Sequence, residues 1–199
     1  MIGLLISEML AQYPGLHLAA LEPDPHRRGL STQLGLAAAD PTHLTKHELQ
    51  NTVHQLFNGH LPDKIVDVSG SEKGLQMAID SAAFETHIIE ASWHGSLPVT
   101  LHLGEEFHRN RLSISSSQVS TVSSELGRRW DRSRRTEEVK RWISTIKPSK
   151  YITHRFPLSQ VKDAYHFIFG KPSTDTAQPL LQAVLIPESD TDFTAKQNR

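Results

Sequence analysis

The sequence contains no cysteine among its 199 residues. This absence excludes a disulfide framework and any zinc site that is built on thiolates of this chain. The sequence also lacks a strong charge excess, because 21 Lys and Arg stand against 22 Asp and Glu, giving a formal net charge of −1. Without a global basic field, we expect neither nucleic acid nor an anionic membrane as a partner.

Long apolar runs are missing as well. The apolar start, Met1 to Leu10, is interrupted by Glu8 and has no positive residues ahead of it. It is therefore too short for a membrane span and does not have the pattern of a secretory signal. With 37% apolar and 22% charged residues, the composition is that of a globular chain, and we expect it in the cytoplasm.

The hydrophobic pattern alternates between helical spacing and short apolar runs. It predicts helices at about 2–13, 25–34, 45–57 and 75–82, and strands at 16–21, 65–69 and 87–92, with weaker strand signals at 99–103 and 112–116. Thr45 and Glu48 have the spacing of a capping box, and Gly35 and Asn58-Gly59 are helix stops. Short strands that alternate with helices predict an α/β fold with a mostly parallel sheet and helices on both faces.

A carboxylate follows the strand that is predicted directly after the first helix. Glu22 follows the apolar run 16–21 and lies 19 positions after Gly3, near the start of that helix. In a dinucleotide-binding unit, an acidic residue about 20 positions after the glycine-rich turn accepts hydrogen bonds from the adenosine ribose. Such a carboxylate favours the 2′-hydroxyl of NAD and repels the 2′-phosphate of NADP. The alternative is a solvated glutamate at a strand end.

Small residues follow the other predicted strands, at Ser69-Gly70, Ser92-Trp93 and Ser115-Ser116-Ser117. In open parallel sheets, ligands lie outside the carboxyl ends of the strands. Small residues there let a planar ligand approach the backbone. Each of them taken singly is equally typical of an ordinary turn.

Several segments together resemble the medium-chain, zinc-type alcohol and polyol dehydrogenase family. They are Ile2-Gly3-Leu4-Leu5, Leu21-Glu22-Pro23, Asp67-Val68-Ser69-Gly70, Phe107-His-Arg-Asn-Arg-Leu112, Ser116-Ser-Gln-Val-Ser120 and Thr153-His-Arg-Phe-Pro-Leu158. They occur in the family's order from residue 2 to about 187, and the last of them, followed by Ala164 and Tyr165 on a helix, is the most specific.

The resemblance implies an enzyme that moves a hydride between NAD(P), with NAD preferred, and an alcohol or carbonyl carbon. It implies a partial Rossmann-type domain at 1–147, the C-terminal segment of the catalytic lobe at 148–187, and a frayed tail at 188–199. Cofactor-binding roles carried over by position fall on Gly3, Glu22, Arg27, Ser69, Gly70, Ser92, Trp93 and Ser116. No catalytic residue and no metal ligand can be carried over.

The sequence departs from the family at its front. The first strand, the first two glycines of the phosphate-binding turn and the lobe that bears the family's zinc ligands have no counterpart. We therefore expect a truncated form without independent activity. The alternative is a catalytically dead nucleotide-binding or interaction module. Besides the dinucleotide, the expected partner is a second copy or a separate chain with the catalytic lobe.

The absent strand would be central in the strand order 3-2-1-4-5-6 of the family's sheet. Without it, its two neighbours either pair directly or leave open edges across a gap about 5 Å wider than normal strand spacing. The C-terminal segment would also lose its packing partner. We therefore expect exposed apolar surface around Phe156, Phe167 and Leu180 to Ile186.

Twelve histidines and one arginine cluster offer other sites. His43, His47 and His54, and His102 and His108 beside Glu105 and Glu106, are candidate metal clusters, although solvated helix flanks explain them as well. His94 and His154 are candidate acid–base groups without a partner apparent in the sequence. Five arginines between 128 and 135 flank Trp130 and Asp131, a pattern that fits either a phosphate or RNA site or a solvated helix start.

Overall fold

The computed structural model describes residues 1–96, 98–170 and 179–187. Contacts divide the chain into two compact units, Ile2–Arg141 and Trp142–Arg199 together with Met1. The first unit contains the helices α1 (Ile2–Leu10), α2 (Pro25–Gln33), α3 (Lys46–Leu56) and α4 (Glu72–Asp80), and the strands β1 (Ala19–Leu21), β2 (Ala37–Ala39), β3 (Lys64–Asp67), β4 (His87–Glu90) and β5 (Ser113–Ser116). Helix α5 (Arg132–Ile146) continues the chain from the first unit into the second. The alternation of helices and parallel strands confirms the predicted α/β class.

The strands of the first unit form two separate parallel sheets. β1 pairs with β2, and β3, β4 and β5 pair in that order. Within residues 1–96 and 98–170, no ladder joins β1 to β3. Of the two outcomes expected at the missing central strand, the structure therefore has the open edges rather than direct pairing of the neighbours.

Local sequence signals account for the ends of α2 and α3. Asp24 caps α2 by accepting a hydrogen bond from the backbone N–H of Arg27 at 2.8 Å, and Pro25 occupies the first turn, where it costs no hydrogen bond. Thr45 and Glu48 form the predicted capping box, in which each side chain bonds the backbone of the other. These caps fix the residues at which α2 and α3 begin.

The core of the first unit lies between α4 and the three-stranded sheet. Ile79 of α4 and Ile88 of β4 are fully buried at its centre. Around them pack Leu75, Ala78, Ala82 and Leu112. Helix α3 packs on β2, α4 packs on β3 and β4, and the two helices contact each other. The Gln50 side chain of α3 donates a hydrogen bond to the Asp80 carbonyl at 2.9 Å, which strengthens this helix pair.

Two segments differ from the prediction. Ala37–Ala39 forms β2, although three alanines carry no strand signal. The predicted strand at 99–103 is wrong, because side chains of α4 take the backbone donors that a ladder would need. Glu72 accepts from the Thr100 N–H at 2.9 Å, and Gln76 accepts from the His102 N–H at 2.8 Å.

The second unit contains β6 (Ile152–Pro157), α6 (Val161–Phe169) and β7 (Gln182–Ile186), with β6 and β7 parallel. The helix predicted around Ala164 and Tyr165 is confirmed as α6. Phe156 and Phe167 themselves are half-buried against each other, with ring centroids 5.7 Å apart. The apolar surface expected around them is exposed at neighbouring side chains, which include Tyr165 and Phe169 of α6 and Leu185 of β7.

The expected frayed tail at 188–199 lies outside the described residues. Among the helices that the structure describes, none combines the length and the apolar character needed to cross a bilayer.

Candidate functional site

The carboxyl ends of β3, β4 and β5 meet at one edge of the three-stranded sheet. Asp67, Glu90 and Ser116 are the last residues of these strands and are neighbours in the ladder register. The turn after β3 lies against the turn after β4. This closeness is seen at Gly70, where an added Cβ would stand 3.7 Å from the Trp93 carbonyl oxygen and 3.9 Å from the Ser92 Cβ. The structure therefore brings together the predicted residues Ser69, Gly70, Ser92, Trp93 and Ser116.

Gly3 lies in the first turn of α1, close to the end of β3. A Cβ at this position would stand 3.0 Å from Cγ2 of Val68, tighter than an ordinary contact. A glycine therefore allows the start of α1 to approach the sheet. This contact joins Gly3 to the same edge as the other predicted residues.

Glu22 follows β1 and is held by backbone hydrogen bonds. Its N–H donates to the Ala39 carbonyl at 3.0 Å, and its Oε1 accepts from the Asp24 N–H at 2.9 Å. The nearby cation bonded to this strand end is Arg28, whose Nη1 donates to the Glu22 carbonyl at 2.6 Å and pairs with Asp40 at 3.2 Å. The predicted cofactor residue Arg27 lies one position earlier, half-buried in the first turn of α2.

Asp67 and Glu90 form a pair of carboxyl groups that the sequence analysis did not identify. Asp67 is only 7% exposed, and its Oδ1 accepts a hydrogen bond from the Ser69 N–H at 2.9 Å. Oε1 of Glu90 accepts from the Ser92 N–H at 2.7 Å and from the Ser92 hydroxyl. The two acids are direct neighbours in the ladder register, where like charges oppose each other.

The surroundings move the pKa values of the two acids in opposite directions. Burial raises the pKa of Asp67, and the charge of Glu90 adds to the rise, although hydrogen bonds from Ser69 oppose it. Burial alone would raise the pKa of Glu90, but the hydrogen bonds from Ser92 and His94 outweigh it, so this pKa lies below its ordinary value.

Glu90 is the carboxylate partner of His94, a pairing that was not recognised in the sequence. Its Nε2 lies 3.1 Å from Oε2 of Glu90, with the two side chains 16% and 12% exposed. One carboxylate oxygen each of Asp67 and Glu90 and one ring nitrogen of His94 lie within 4.8 Å of one another. The sequence signal that locates this trio is an acid at the end of each of two consecutive strands, with a histidine four residues after the second.

Asp67→Asn is expected to stabilise the chain at about pH 7 in buffer containing EDTA. Since the folded pKa of Asp67 is raised, the unfolded chain releases this proton at lower pH, and stability is lost as the pH rises through the folded pKa. Asparagine imitates the protonated acid and avoids that loss. Urea unfolding should show an advantage for the variant that shrinks as the pH falls to about 4. An advantage that stays constant with pH would contradict the assigned pKa direction.

The other clusters considered from the sequence have structural partners. Lys46 binds the carboxylates of both Glu105 and Glu106, so these acids do not gather around His102 and His108. His43 has a positive φ of 65° and lies outside α3, as the capping box predicts. His154 contacts the Thr153 hydroxyl at 2.9 Å and packs on Phe167.

The arginine cluster is also engaged within the chain. The Arg134 guanidinium lies 4.5 Å from the centre of the Trp130 ring, and Arg135 donates to the Val119 carbonyl at 2.6 Å. These contacts favour a structural role for both side chains over an open nucleic-acid surface.

Two grooves are lined by residues other than those at the strand ends. One is lined by residues that include Leu16, His17 and Leu36, and the other by residues of α6 that include Tyr165. The first lies at the entrance to β1 and β2, at the opposite edge from Glu22. The strand ends combine buried charge with converging side chains, which neither groove does.

Comparison with solved structures identifies the fold. A zinc-binding dehydrogenase from Clostridium scindens matches with a TM-score of 0.69 over 92% of this chain, at 13% identity. The alcohol dehydrogenase of Thermus sp. ATN1 matches with a TM-score of 0.69 over 94%, at 14% identity. An alcohol dehydrogenase from Escherichia coli CFT073, solved in complex with NADH, matches with a TM-score of 0.65 over 85%, at 22% identity.

The chain spans about half the length of these structures, covering 46%, 48% and 46% of the three chains. No protein-family model and no curated protein matches the sequence. At these identities the likeness establishes the fold. The chain therefore has the α/β fold of the corresponding part of the zinc-type, medium-chain alcohol and polyol dehydrogenases.

Proposed function

We propose that this chain is the dinucleotide-binding part of an NAD(P)-dependent, zinc-type alcohol or polyol dehydrogenase, with a preference for NAD. The observation that carries the proposal is the position of Glu22 at the end of β1, within a fold shared with such dehydrogenases. In this proposal, hydride transfer requires a catalytic lobe, which residues 1–199 do not supply. We infer that the chain alone is inactive and that it acts in the cytoplasm.

The strand ends fit the adenosine half of a dinucleotide. The Asp24 N–H fixes Oε1 of Glu22, which leaves Oε2 to accept a hydrogen bond from a ribose hydroxyl. The turn at Ser69-Gly70 offers small side chains and backbone beside the adenosine, and the adjoining Ser92 and Trp93, with Ser116, are expected to receive the nicotinamide end. Trp93 is 87% exposed beside them and can report on binding through its fluorescence.

The phosphate half fits less well. Gly3 and the first turn of α1 offer backbone N–H groups of the kind that bind phosphates at helix starts. The carboxyl groups of Asp67 and Glu90 lie at the neighbouring sheet edge and oppose a second anion there. We therefore expect a dissociation constant for NAD weaker than about 1 mM, or about −4 kcal/mol of binding free energy.

The bound dinucleotide supplies the hydride donor or acceptor for this chemistry. The chain's own residues orient it. Glu22 binds the adenosine ribose, and the turns at Ser69-Gly70 and Ser92-Trp93 receive the rings of the dinucleotide. The residues present do not fit the family's zinc, because that site draws on cysteines and this sequence has none. No step of the reaction is therefore assigned to zinc at residues of this chain.

Ligand-observed NMR tests the proposal at millimolar ligand. Saturation transfer from the protein to the adenosine protons of NAD⁺ is expected, with weaker transfer to NADP⁺ because Glu22 repels the 2′-phosphate. Glu22→Gln should weaken NAD⁺ binding by about 3-fold to 10-fold, the loss of one hydrogen bond to a charged group, and reduce the preference for NAD⁺. Glu137→Gln, which removes an exposed carboxylate from α5, is the matched control and should change neither.

The absence of any transfer from the wild-type chain to either dinucleotide would contradict the proposal. Equal transfer to both, unchanged in Glu22→Gln, would refute the role of Glu22. Micromolar binding of NAD⁺ would support the function but refute the expectation that the carboxyl groups of Asp67 and Glu90 weaken it.

A second candidate is an interaction module without dinucleotide binding. It is favoured by the exposed rings of Tyr165 and Phe169, which stack on each other on α6 with centroids 5.8 Å apart. Exposed, adjoining aromatic rings are common where a protein contacts a partner. A null result in the dinucleotide titration would favour this candidate.

A further inference from the structure

We propose that Asp67, Glu90 and His94 form a binding site for a divalent transition-metal cation, with Zn²⁺ the best fit. The site lies at the carboxyl ends of β3 and β4. It does not depend on dinucleotide binding, and it is separate from the cysteine-containing zinc site that the family resemblance implies.

The fold itself brings the three donors together. Asp67 and Glu90 are paired in the parallel ladder, so their side chains leave the sheet in the same direction. The chain then turns after β4 and returns His94 towards Glu90, with the ring Nε2 at 3.1 Å from Oε2. One donor atom from each residue lies within 4.8 Å of the other two.

An unsatisfied buried atom points to a missing ligand. Oδ2 of Asp67 is buried and has no hydrogen-bond partner among the residues that the structure describes. An orphaned buried oxygen of this kind destabilises the folded state, and more so when it is charged. Its neighbour in the ladder is another carboxyl group, and two such oxygens can share either a proton or a metal ion between them. A bound cation would satisfy Oδ2 and neutralise the pair together.

The kinds of donor atom select the metal. Two carboxylate oxygens and one imidazole nitrogen suit Zn²⁺, whereas Mg²⁺ and Ca²⁺ prefer oxygen alone. Zn²⁺ binds such ligands at about 2.0–2.2 Å, which places neighbouring ligand atoms about 3.4 Å apart in a tetrahedral site. The Glu90–His94 separation of 3.1 Å already has this size, and a modest inward movement of Asp67 closes the third side. Water takes the fourth position, as in zinc sites with three protein ligands.

Calorimetric titration of the full chain with zinc sulfate tests the site. The wild-type chain is expected to bind one tight Zn²⁺, with a stoichiometry confirmed by equilibrium dialysis. His94→Gln and Glu90→Gln should each weaken this binding by about 10-fold or more. Magnesium sulfate at the same concentration should give no saturable heat. Co²⁺ in place of Zn²⁺ should give visible absorption that disappears in His94→Gln.

His102→Gln is the matched control for adventitious binding by the twelve histidines, because it removes an exposed imidazole outside the trio. It should leave the tight site unchanged. Glu90→Gln keeps the side-chain shape and removes the like-charge pair, so its circular dichroism should match that of the wild type. No tight Zn²⁺ on the wild-type chain, or tight binding that survives both His94→Gln and Glu90→Gln, would overturn the proposal.

Discussion

Replacing Ile88 by alanine is expected to lower the free energy of unfolding by about 2–5 kcal/mol. Ile88 lies in β4, the middle strand of the three-stranded sheet, and is 0% exposed. The substitution removes three buried carbons from the cluster that contains Ile79 and Leu112, and the rigid sheet on both sides limits the collapse of the cavity. Because a whole domain is stable by only about 5–15 kcal/mol, one such change removes a large share of its stability.

Urea unfolding followed by circular dichroism measures this loss. Ile143→Ala is the matched control, since it makes the same chemical change at a residue that is 51% exposed on α5. It is expected to change the unfolding free energy by no more than about 0.5 kcal/mol. Equal losses in the two variants would contradict the position of Ile88 in the core.

Gly74→Ala is expected to destabilise the chain by about 1–3 kcal/mol, although alanine normally favours a helix. Gly74 lies within α4, and a Cβ there would stand 2.1 Å from the Ser69 Oγ and 2.6 Å from the Ser69 Cβ. Neither distance is sterically tolerable, so either α4 or the turn after β3 must move. Because that turn contains Ser69 and Gly70, the same substitution should also disturb the sheet edge at which the carboxyl ends of β3, β4 and β5 meet.

Gly29→Ala in α2 provides the opposite control. A Cβ at Gly29 meets nothing within 4 Å, so this variant should gain about 0.4–1 kcal/mol through the ordinary preference for alanine. The double variant Ser69→Gly/Gly74→Ala removes the clashing side chain and should recover most of the stability lost in Gly74→Ala. A Gly74→Ala chain as stable as Gly29→Ala, judged by thermal and urea unfolding, would contradict the close approach of α4 to the turn.

Much of the fold was predictable because its signals are local. The capping box at Thr45 and Glu48 and the apolar runs of β3 and β4 depend on neighbours in sequence, and the structure confirms them. Strand β2 was not predictable, since Ala37–Ala39 becomes a strand only through pairing with β1. The strand prediction at 99–103 was wrong for the converse reason. Hydrogen bonds to Glu72 and Gln76 hold this apolar run outside the sheet.

The candidate site divides in the same way. The residues after each strand could be placed at one sheet edge, because parallel strands end together, and Ser69, Gly70, Ser92, Trp93 and Ser116 lie there. The trio of Asp67, Glu90 and His94 escaped prediction, since it depends on the ladder register and on the path of the turn after β4. The spacing, an acid at the end of each of two consecutive strands and a histidine four residues after the second, is compatible with the trio but does not by itself show that the three side chains meet. That the predicted residues bind a dinucleotide stays a prediction.

The division of the sheet decides how the two halves of the first unit communicate. In an uninterrupted sheet, a disturbance passes from strand to strand through the backbone ladder. Among the described residues, the sheets β1–β2 and β3–β4–β5 share no ladder, so side-chain packing must transmit it. Helix α3 meets α4 through Gln50 and Asp80, and α1 contacts α2 and approaches Val68 after β3. Local opening of the Glu22 half need not open the half that contains Asp67, and any cooperativity between a ribose bound at one and a cation bound at the other would pass through these helix contacts.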